Sequence, residues 1–257
     1  WQQGQPDLSL QSTLEGLSLQ LPAPLGKTTN SAMPLSIRIQ PQGDPPGLQD
    51  QIQVTLGDVA RVHYVRDVSG ATPRVLRGSL SLGVAGEKLP TLSETGVTAN
   101  VVMDRLSLDE WRDLVPALAS STSPGHPAAA WSAYLPTRIG LKANTLTAED
   151  RTLHQVVAGG TRDGSQWQAN IDAQELSGYF AFRPSLNNPP GQLFARLSRL
   201  NLPPSSAAEV ETLLETPSAK LPALDIVVDE LELRGKKLGR IEIEAITATS
   251  AGTMNAL

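Results

Sequence analysis

The chain has three histidines, and none has a neighbour at a spacing that predicts catalysis. His63 lies in a strand-like run, His126 lies in the loop-like sequence Pro-Gly-His-Pro, and His154 follows a leucine in a predicted hairpin. A nucleophilic site needs a nucleophile beside a base, and the sequence places no such residue next to any of them. We interpret His63 as a solvated strand histidine and expect no hydrolase, transferase or redox activity, and no catalytic residue.

Carboxylates cluster towards the carboxyl end, but their pattern is that of strands and not of a metal-binding loop. Calcium sites need oxygen ligands at alternate positions of one tight loop, whereas these acids alternate with Ile, Val and Leu. The chain has no cysteine, which excludes disulfides and Cys-based zinc sites. We expect no metal and no cofactor, and we interpret the acids as the charged outer face of a sheet. They are Asp225, Asp229, Glu230, Glu232, Glu242 and Glu244.

Composition excludes several classes of protein. The sequence has 257 residues, with 21 Lys and Arg against 26 Asp and Glu, a formal net charge of −5. A nucleic-acid-binding protein usually has a basic excess or a basic face, so we expect no nucleic-acid partner. The sequence contains no apolar run long enough to cross a bilayer as a helix. It begins with Trp1, so we expect it to be a fragment of a longer protein.

Apolar and polar residues alternate with a period of two along most of the chain, which predicts β-strands. Any functional side chain would therefore be positioned by a β-sheet. One apolar face and one polar face are typical of antiparallel sheet with a wet side. Turn-like sequences separate the runs, and we expect about twelve to fifteen strands, with consecutive strands paired antiparallel. The alternating positions that we select as candidate lining of the apolar face are Leu17, Leu19, Ile37, Ile39, Leu80, Leu82, Ile241 and Ile243.

Two capping boxes predict two short helices, one near 107–118 and one near 206–215. Each has a serine at the N-cap and a glutamate three residues later: Ser107 with Glu110, and Ser206 with Glu209. Residues 121–130 are rich in Ser, Pro, Gly and Ala, and we interpret them as a flexible link. The expected organisation is a β-rich half over 1–120 and a second β-rich half with repeated hairpins over 131–257.

A weak internal repeat supports that division. The apolar positions after Leu135-Pro136 recur after Leu221-Pro222, at an offset that we place at 85 residues from Ile139 and Leu224 onward. Each copy predicts two strands joined by a short turn. Repeated supersecondary units side by side predict an extended, repetitive architecture.

The apolar face has two opposed interpretations. It is either the closed core of a structural β-scaffold or adhesin-like domain with no ligand, or an open face whose apolar side chains bind lipid. Composition by itself favours the closed core. A glycan-active enzyme on a β-scaffold is a third hypothesis, which the scarcity of aromatic residues (4%) disfavours.

Four stretches, in the expected order, resemble the YhdP-type large proteins of the AsmA-like superfamily. Residues 14–27 resemble the segment L-x-G-L-x-L-x-L-P-x-P-L-x-K, and residues 106–111 resemble the helix start L-x-L-D-x-W. Residues 163–197 resemble the Trp-bearing strand and the glycine-started strand that follows it. Residues 221–245 are similar to the hairpin P-x-L-D-I followed by R-G-x-x-L-G.

This resemblance implies a mainly β fold, an extended, twisted antiparallel sheet that forms a groove of repeating hairpins. It implies a Gram-negative envelope protein that lies in the periplasm and is anchored to the inner membrane in its full-length form. The implied partners are phospholipid acyl chains. Parts of the full-length protein that this sequence does not include would contact the inner and outer membranes. The implied role is phospholipid transport or outer-membrane homeostasis, and the family offers no catalytic residue to carry over.

Overall fold

The computed structural model describes residues 7–42, 48–83, 91–112, 132–149, 151–184, 191–202 and 223–245. Within these residues the fold is almost entirely β, with thirteen strands in chain order and a helical segment over 108–112. The predicted fold class, mainly β, is confirmed. The chain forms two compact units, Trp1–Thr152 and Leu153–Leu257. The link that we expect at 121–130 lies outside the described residues and stays a prediction.

The first unit contains seven strands that are neighbours in the order of the sequence. Those from β1 to β5 pair antiparallel, as the alternation predicts. They are β1 (Leu8–Ser12), β2 (Leu35–Gln42), β3 (Gln49–Leu56), β4 (Ala60–Asp67), β5 (Arg74–Leu82), β6 (Gly96–Ser107) and β7 (Arg138–Ala148).

The second unit continues with strands that also follow the order of the sequence. Strands β8 to β11 pair antiparallel, and β12 and β13 form an antiparallel hairpin. They are β8 (Arg151–Asp163), β9 (Gln166–Asp172), β10 (Leu176–Arg183), β11 (Gln192–Leu202), β12 (Ala223–Leu233) and β13 (Lys236–Ala245).

The expectation that all consecutive strands pair antiparallel is wrong at three places. Among the described strands, β5 with β6, β6 with β7, and β11 with β12 are parallel. A parallel pair needs a connection of a dozen or more residues, since the chain must return to the same end of the sheet. Residues 83–95, 108–137 and 203–222 are the three connections, and each is long enough to do so.

The predicted start of the first helix is confirmed. Residues 108–112 are helical, and the Ser107 hydroxyl oxygen accepts the Glu110 N–H at 3.5 Å, which is the N-cap hydrogen bond of the predicted capping box. The end of this helix and the second predicted helix at 206–215 lie outside the described residues.

The 85-residue repeat appears in the strand bounds. Strand β7 begins at Arg138 and β12 begins at Ala223, and the strands that follow begin at Arg151 and Lys236. The short turn at the matched position of each copy starts with a residue of positive φ, 54° at Glu149 and 53° at Arg234. In each copy, the first repeated strand also pairs parallel with the strand before it. The repeat therefore extends to the local backbone conformation.

Candidate functional site

Cross-strand register brings the apolar positions of the first unit onto one side of its sheet. Residues that are paired on neighbouring strands point to the same face, so each set of partners forms a row across the strands. We define the first apolar face as three such rows. They are Leu8, Ile39, Ile52, Tyr64, Gly78 and Val97; Leu10, Ile37, Val54, Val62, Leu80, Ala99 and Ile139; and Ser12, Leu35, Leu56, Ala60, Leu82, Val101 and Leu141, the last row having a polar residue on β1.

The intervening positions form polar rows on the opposite face, as a period of two requires. One of these rows carries Ser36, Thr55, Arg61, Ser81 and Asn100, and it runs directly beside the row of Leu82. The two sides of this sheet therefore differ sharply in hydropathy.

The side chains of the first apolar face are mostly half-buried, not sealed into a core. Ile37, Ile39, Leu80 and Leu82 are all half-buried. At the edge strand β1, Leu8 and Leu10 expose 52% and 46% of their surface. An apolar face with this much accessible surface marks a place where another apolar molecule can bind.

Four of the predicted lining residues are thus brought together on one face, but Leu17 and Leu19 are not. They lie between β1 and β2 and belong to no strand, since Leu19 forms only an isolated bridge with Lys27. The reason is the buried ammonium of Lys27, whose Nζ donates to the carbonyl oxygens of Leu14 at 2.8 Å, Leu17 at 2.5 Å and Thr28 at 2.9 Å. These three bonds fold the segment into a loop that leaves Leu17 56% exposed.

The second unit has a face of the same kind, which we define as the second apolar face. Its rows are Arg162, Trp167, Phe182, Leu193, Leu224 and Ala245; Gly160, Ala169, Phe180, Ala195, Ile226 and Ile243; and Ala158, Ile171, Gly178, Leu197, Val228 and Ile241. The predicted residues Ile241 and Ile243 lie here on β13. Ile241 packs against a buried cluster of Ala195, Leu197, Val228 and Leu231, while Ile243 is 38% exposed.

Three of the six acidic residues of β12 and β13 lie on the outer face of the sheet, where the strand pattern predicts them. Asp225, Glu242 and Glu244 occupy positions between those of the second apolar face, so they lie on its opposite side. Arg196 pairs with Asp225 at 2.9 Å, and Arg240 pairs with Glu242 at 2.8 Å. Among the described residues, no group of three or more potential ligands is arranged to hold a metal ion.

Arg66 and Asp50 form an ion pair at the end of the first apolar face, which the alternation of apolar and polar residues does not predict. The Arg66 Nε donates to Asp50 at 2.9 Å, and the side chains are only 16% and 12% exposed. Hydrogen bonding to Asp50 raises the pKa of Arg66, although burial acts in the opposite direction. Arg66 also donates to the Tyr134 hydroxyl at 3.2 Å, and Tyr134 packs edge-on against Tyr64 at 5.2 Å between ring centroids. The break in apolar character at Arg66, two residues after Tyr64, is the signal that could have revealed this cluster.

The described histidines have hydrogen-bond partners within the structure. His63 lies half-buried on the polar face, with Nε2 3.3 Å from the Gln51 side-chain oxygen. Burial and then the charge of Arg77 lower the pKa of His63. His154 Nδ1 lies 2.6 Å from a Glu175 carboxylate oxygen, and Glu175 also accepts the His154 backbone N–H at 2.8 Å. His126 lies outside the described residues.

The structure contains no helix, within its described ranges, whose length and apolar character would let it cross a bilayer.

Comparison with known proteins agrees with the sequence resemblance. The chain matches the family model described as YhdP protein over residues 2–256. Comparison with curated proteins and with solved structures gives no match. The YhdP family is of the lipid-transport kind and is not a known enzyme family. Because the match spans nearly the whole sequence, the chain belongs to the YhdP protein family.

Proposed function

We propose that this chain is a periplasmic segment of an intermembrane lipid-transfer protein that binds phospholipid acyl chains on its apolar faces. The full-length protein would be anchored to the inner membrane and would contribute to phospholipid transport and outer-membrane homeostasis. No cofactor and no catalytic residue takes part in this role.

The observation that carries the proposal is the unbroken apolar row across all seven strands of the first unit, from Leu10 on β1 to Ile139 on β7. Each methylene of an acyl chain that leaves water for such a surface gains about 0.8 kcal/mol. Because every side chain in the row is apolar, a bound acyl chain has nearly the same free energy at each position along it. An acyl chain can therefore move along it without a large barrier, and no energy-coupling residue is needed for that movement.

Half-burial of most residues of the first apolar face favours an open face over the closed core of a scaffold. In a sealed core, residues such as Ile37, Leu80 and Leu82 would be fully buried by a second layer. Here they remain partly accessible, although Tyr64 and Val97 of the same face are almost inaccessible.

Native mass spectrometry of the purified chain tests the proposal. We expect phospholipid to co-purify and to be lost in Leu82→Asp, because a carboxylate on the apolar face is costly beside acyl chains. The matched control is Ser81→Asp, one residue away on the polar face, which should keep its lipid. If the wild-type chain carries no lipid and Leu82→Asp unfolds it, the closed scaffold is correct.

A further inference from the structure

We propose that Arg77 on β5 is the centre of a binding site for a phosphate group on the polar face of the first unit. The polar face consists of the strand positions that lie between those of the first apolar face, so the site points away from any acyl chain bound there. It goes beyond the proposed function, because it assigns a second kind of ligand to the opposite side of the same sheet.

The backbone around Arg77 is irregular. Arg77 is paired with Val65 on β4, and the register between the two strands shifts at the next pair, between Val65 and Arg66. Such a bulge changes the direction of the side chains beside it, and bulges are common next to active sites. On its other side Arg77 is paired with Gly96 on β6, which has no side chain. The guanidinium is therefore not covered by a side chain at the paired position of β6.

Arg77 is a half-buried cation that forms no hydrogen bond and no ion pair within the described part of the chain. Of its three side-chain nitrogens only Nε is buried, and it has no acceptor, so the two terminal nitrogens are the ones that a ligand reaches. Charges that leave water are normally paired with an opposite charge. A guanidinium carries its N–H donors in one plane and binds phosphate oxygens in a bidentate manner. Arg77 therefore has both the charge and the donors that a phosphate group requires.

The carboxylates on this side of the first unit do not neutralise Arg77. Asp67, further along β4, is paired with Arg74 at 3.5 Å. Glu94, which precedes β6, is exposed and forms no ion pair with Arg77. Asp7 precedes β1, four strands from β5, a distance of about 19 Å at the usual strand spacing. The charge of Arg77 is thus left for an external anion.

A second polar group without a partner lies beside Arg77. Ser79, two residues further along β5 on the same face, is fully buried, and its hydroxyl oxygen has no hydrogen-bond partner. Buried polar side-chain atoms are normally hydrogen-bonded. Among the described residues, Nε of Arg77 and Oγ of Ser79 are the two buried side-chain atoms that lack a partner. Their proximity distinguishes this place from the rest of the polar face.

His63 on β4, which is paired with Ser79, senses the charge of Arg77. Burial and then the charge of Arg77 lower the pKa of His63. A phosphate anion at Arg77 would favour the protonated imidazole and raise this pKa again. Two further cations lie on the same face: Arg38, exposed on β2, and Arg61, which is paired with Asp58 at 3.7 Å. The polar face around His63 therefore favours an anionic ligand.

Nuclear magnetic resonance of the histidine rings tests the site in the whole chain. We expect inorganic phosphate to raise the pKa of His63 relative to chloride at equal ionic strength, and to leave the pKa of His154 in the second unit unchanged. Arg77→Gln should weaken phosphate binding about tenfold, the effect of one charge-assisted bidentate contact, and remove the phosphate-dependent change at His63. Arg105→Gln, an exposed arginine on β6, is the matched control and should bind phosphate like the wild type.

A second probe, dihexanoylphosphatidic acid below its micelle concentration, identifies the source of the phosphate. Tighter binding of this lipid than of inorganic phosphate supports a phospholipid headgroup, and equal binding supports a free phosphate. An unchanged pKa of His63 with both probes, or the same change in Arg77→Gln as in the wild type, would overturn the site. If Arg77→Gln does not fold, Arg77→Lys decides: phosphate binding weakened at least about threefold supports the bidentate contact, and unchanged binding contradicts it.

Discussion

Tyr64 on β4 lies directly opposite Gly78 on β5, and its ring fills the space that a side chain at Gly78 would occupy. A Cβ at Gly78 would overlap the Tyr64 ring, and the Tyr64 hydroxyl donates to the Tyr134 carbonyl oxygen at 2.8 Å. Burial, with a smaller contribution from Tyr134, raises the pKa of Tyr64 to about 12. The glycine is therefore what lets an aromatic ring lie flat within the first apolar face.

Gly78→Ala should destabilise the first unit by roughly 1–3 kcal/mol, the usual cost of overpacking, because the ring must leave its place. Urea unfolding followed by circular dichroism measures this change. Gly159→Ala on β8 is the matched control, since nothing lies within 4 Å of a Cβ at that glycine. Equal unfolding midpoints for Gly78→Ala and the wild type would contradict this prediction. They would show that the position of the Tyr64 ring does not require a glycine at residue 78.

Removal of one partner of the Asp50–Arg66 pair should cost about 3–5 kcal/mol, because an uncompensated charge stays buried. Asp50→Ala and Arg66→Ala test each side, and we expect the double variant to be much less destabilised than the sum of the two. The exposed pair of Arg240 and Glu242 is the control, and Arg240→Ala should change stability by about 1 kcal/mol or less. Additive effects of Asp50→Ala and Arg66→Ala would contradict the coupling.

Glu175 should make the second unit sensitive to acid. Burial acts to raise the pKa of Glu175, but the hydrogen bonds from the His154 ring and backbone outweigh it, so the pKa lies below 4.5, its ordinary value. A lowered carboxyl pKa stabilises the fold above the ordinary value, and this contribution is lost as the pH falls through the lowered one. The difference in unfolding midpoint between wild type and Glu175→Gln should therefore be constant near neutral pH and shrink below pH 4.5. A difference that grows in acid would contradict this sign.

Lys27→Met should loosen the loop between β1 and β2 without removing the strands. Three carbonyl oxygens lose their donor, and unmade hydrogen bonds of buried groups cost about 1–3 kcal/mol. Hydrogen exchange measures the effect at the amides of Gly16 and Leu19, which donate to Thr29 and Lys27 carbonyl oxygens at 3.0 and 2.9 Å. We expect faster exchange at both amides and unchanged exchange in β3. Lys237→Met, an exposed lysine on β13, is the control.

Much of the fold follows from the sequence because alternation reports directly on a two-sided sheet. Ile37 and Ile39 lie on a strand of the expected face, and the repeat from Ile139 to Leu224 correctly predicts matched strands. Alternation fails at Leu17 and Leu19, where the bonds from a buried lysine outweigh it. Alternation also carries no information on the relative direction of two strands. The parallel pairing of β6 with β5 and β7, and of β11 with β12, could therefore not be deduced.

The candidate site is predictable only where it consists of apolar rows. The positions of Leu80, Leu82, Ile241 and Ile243 follow from the period of two. The pairing of Arg66 with Asp50 and of Arg162 with Trp167 depends on register between strands, which the composition of a single strand does not specify.

Photo-crosslinking from adjacent residues of β5 tests the central claim most directly. A benzophenone side chain at Leu82 would project from the first apolar face, and one at Ser81 would project from the polar face, because Leu82 pairs with Ala60 and Ser81 pairs with Arg61. In cells, we expect lipid to be captured from Leu82 and not from Ser81. Equal capture at both positions, or no lipid at either one in a folded protein, would contradict an acyl-chain-binding face.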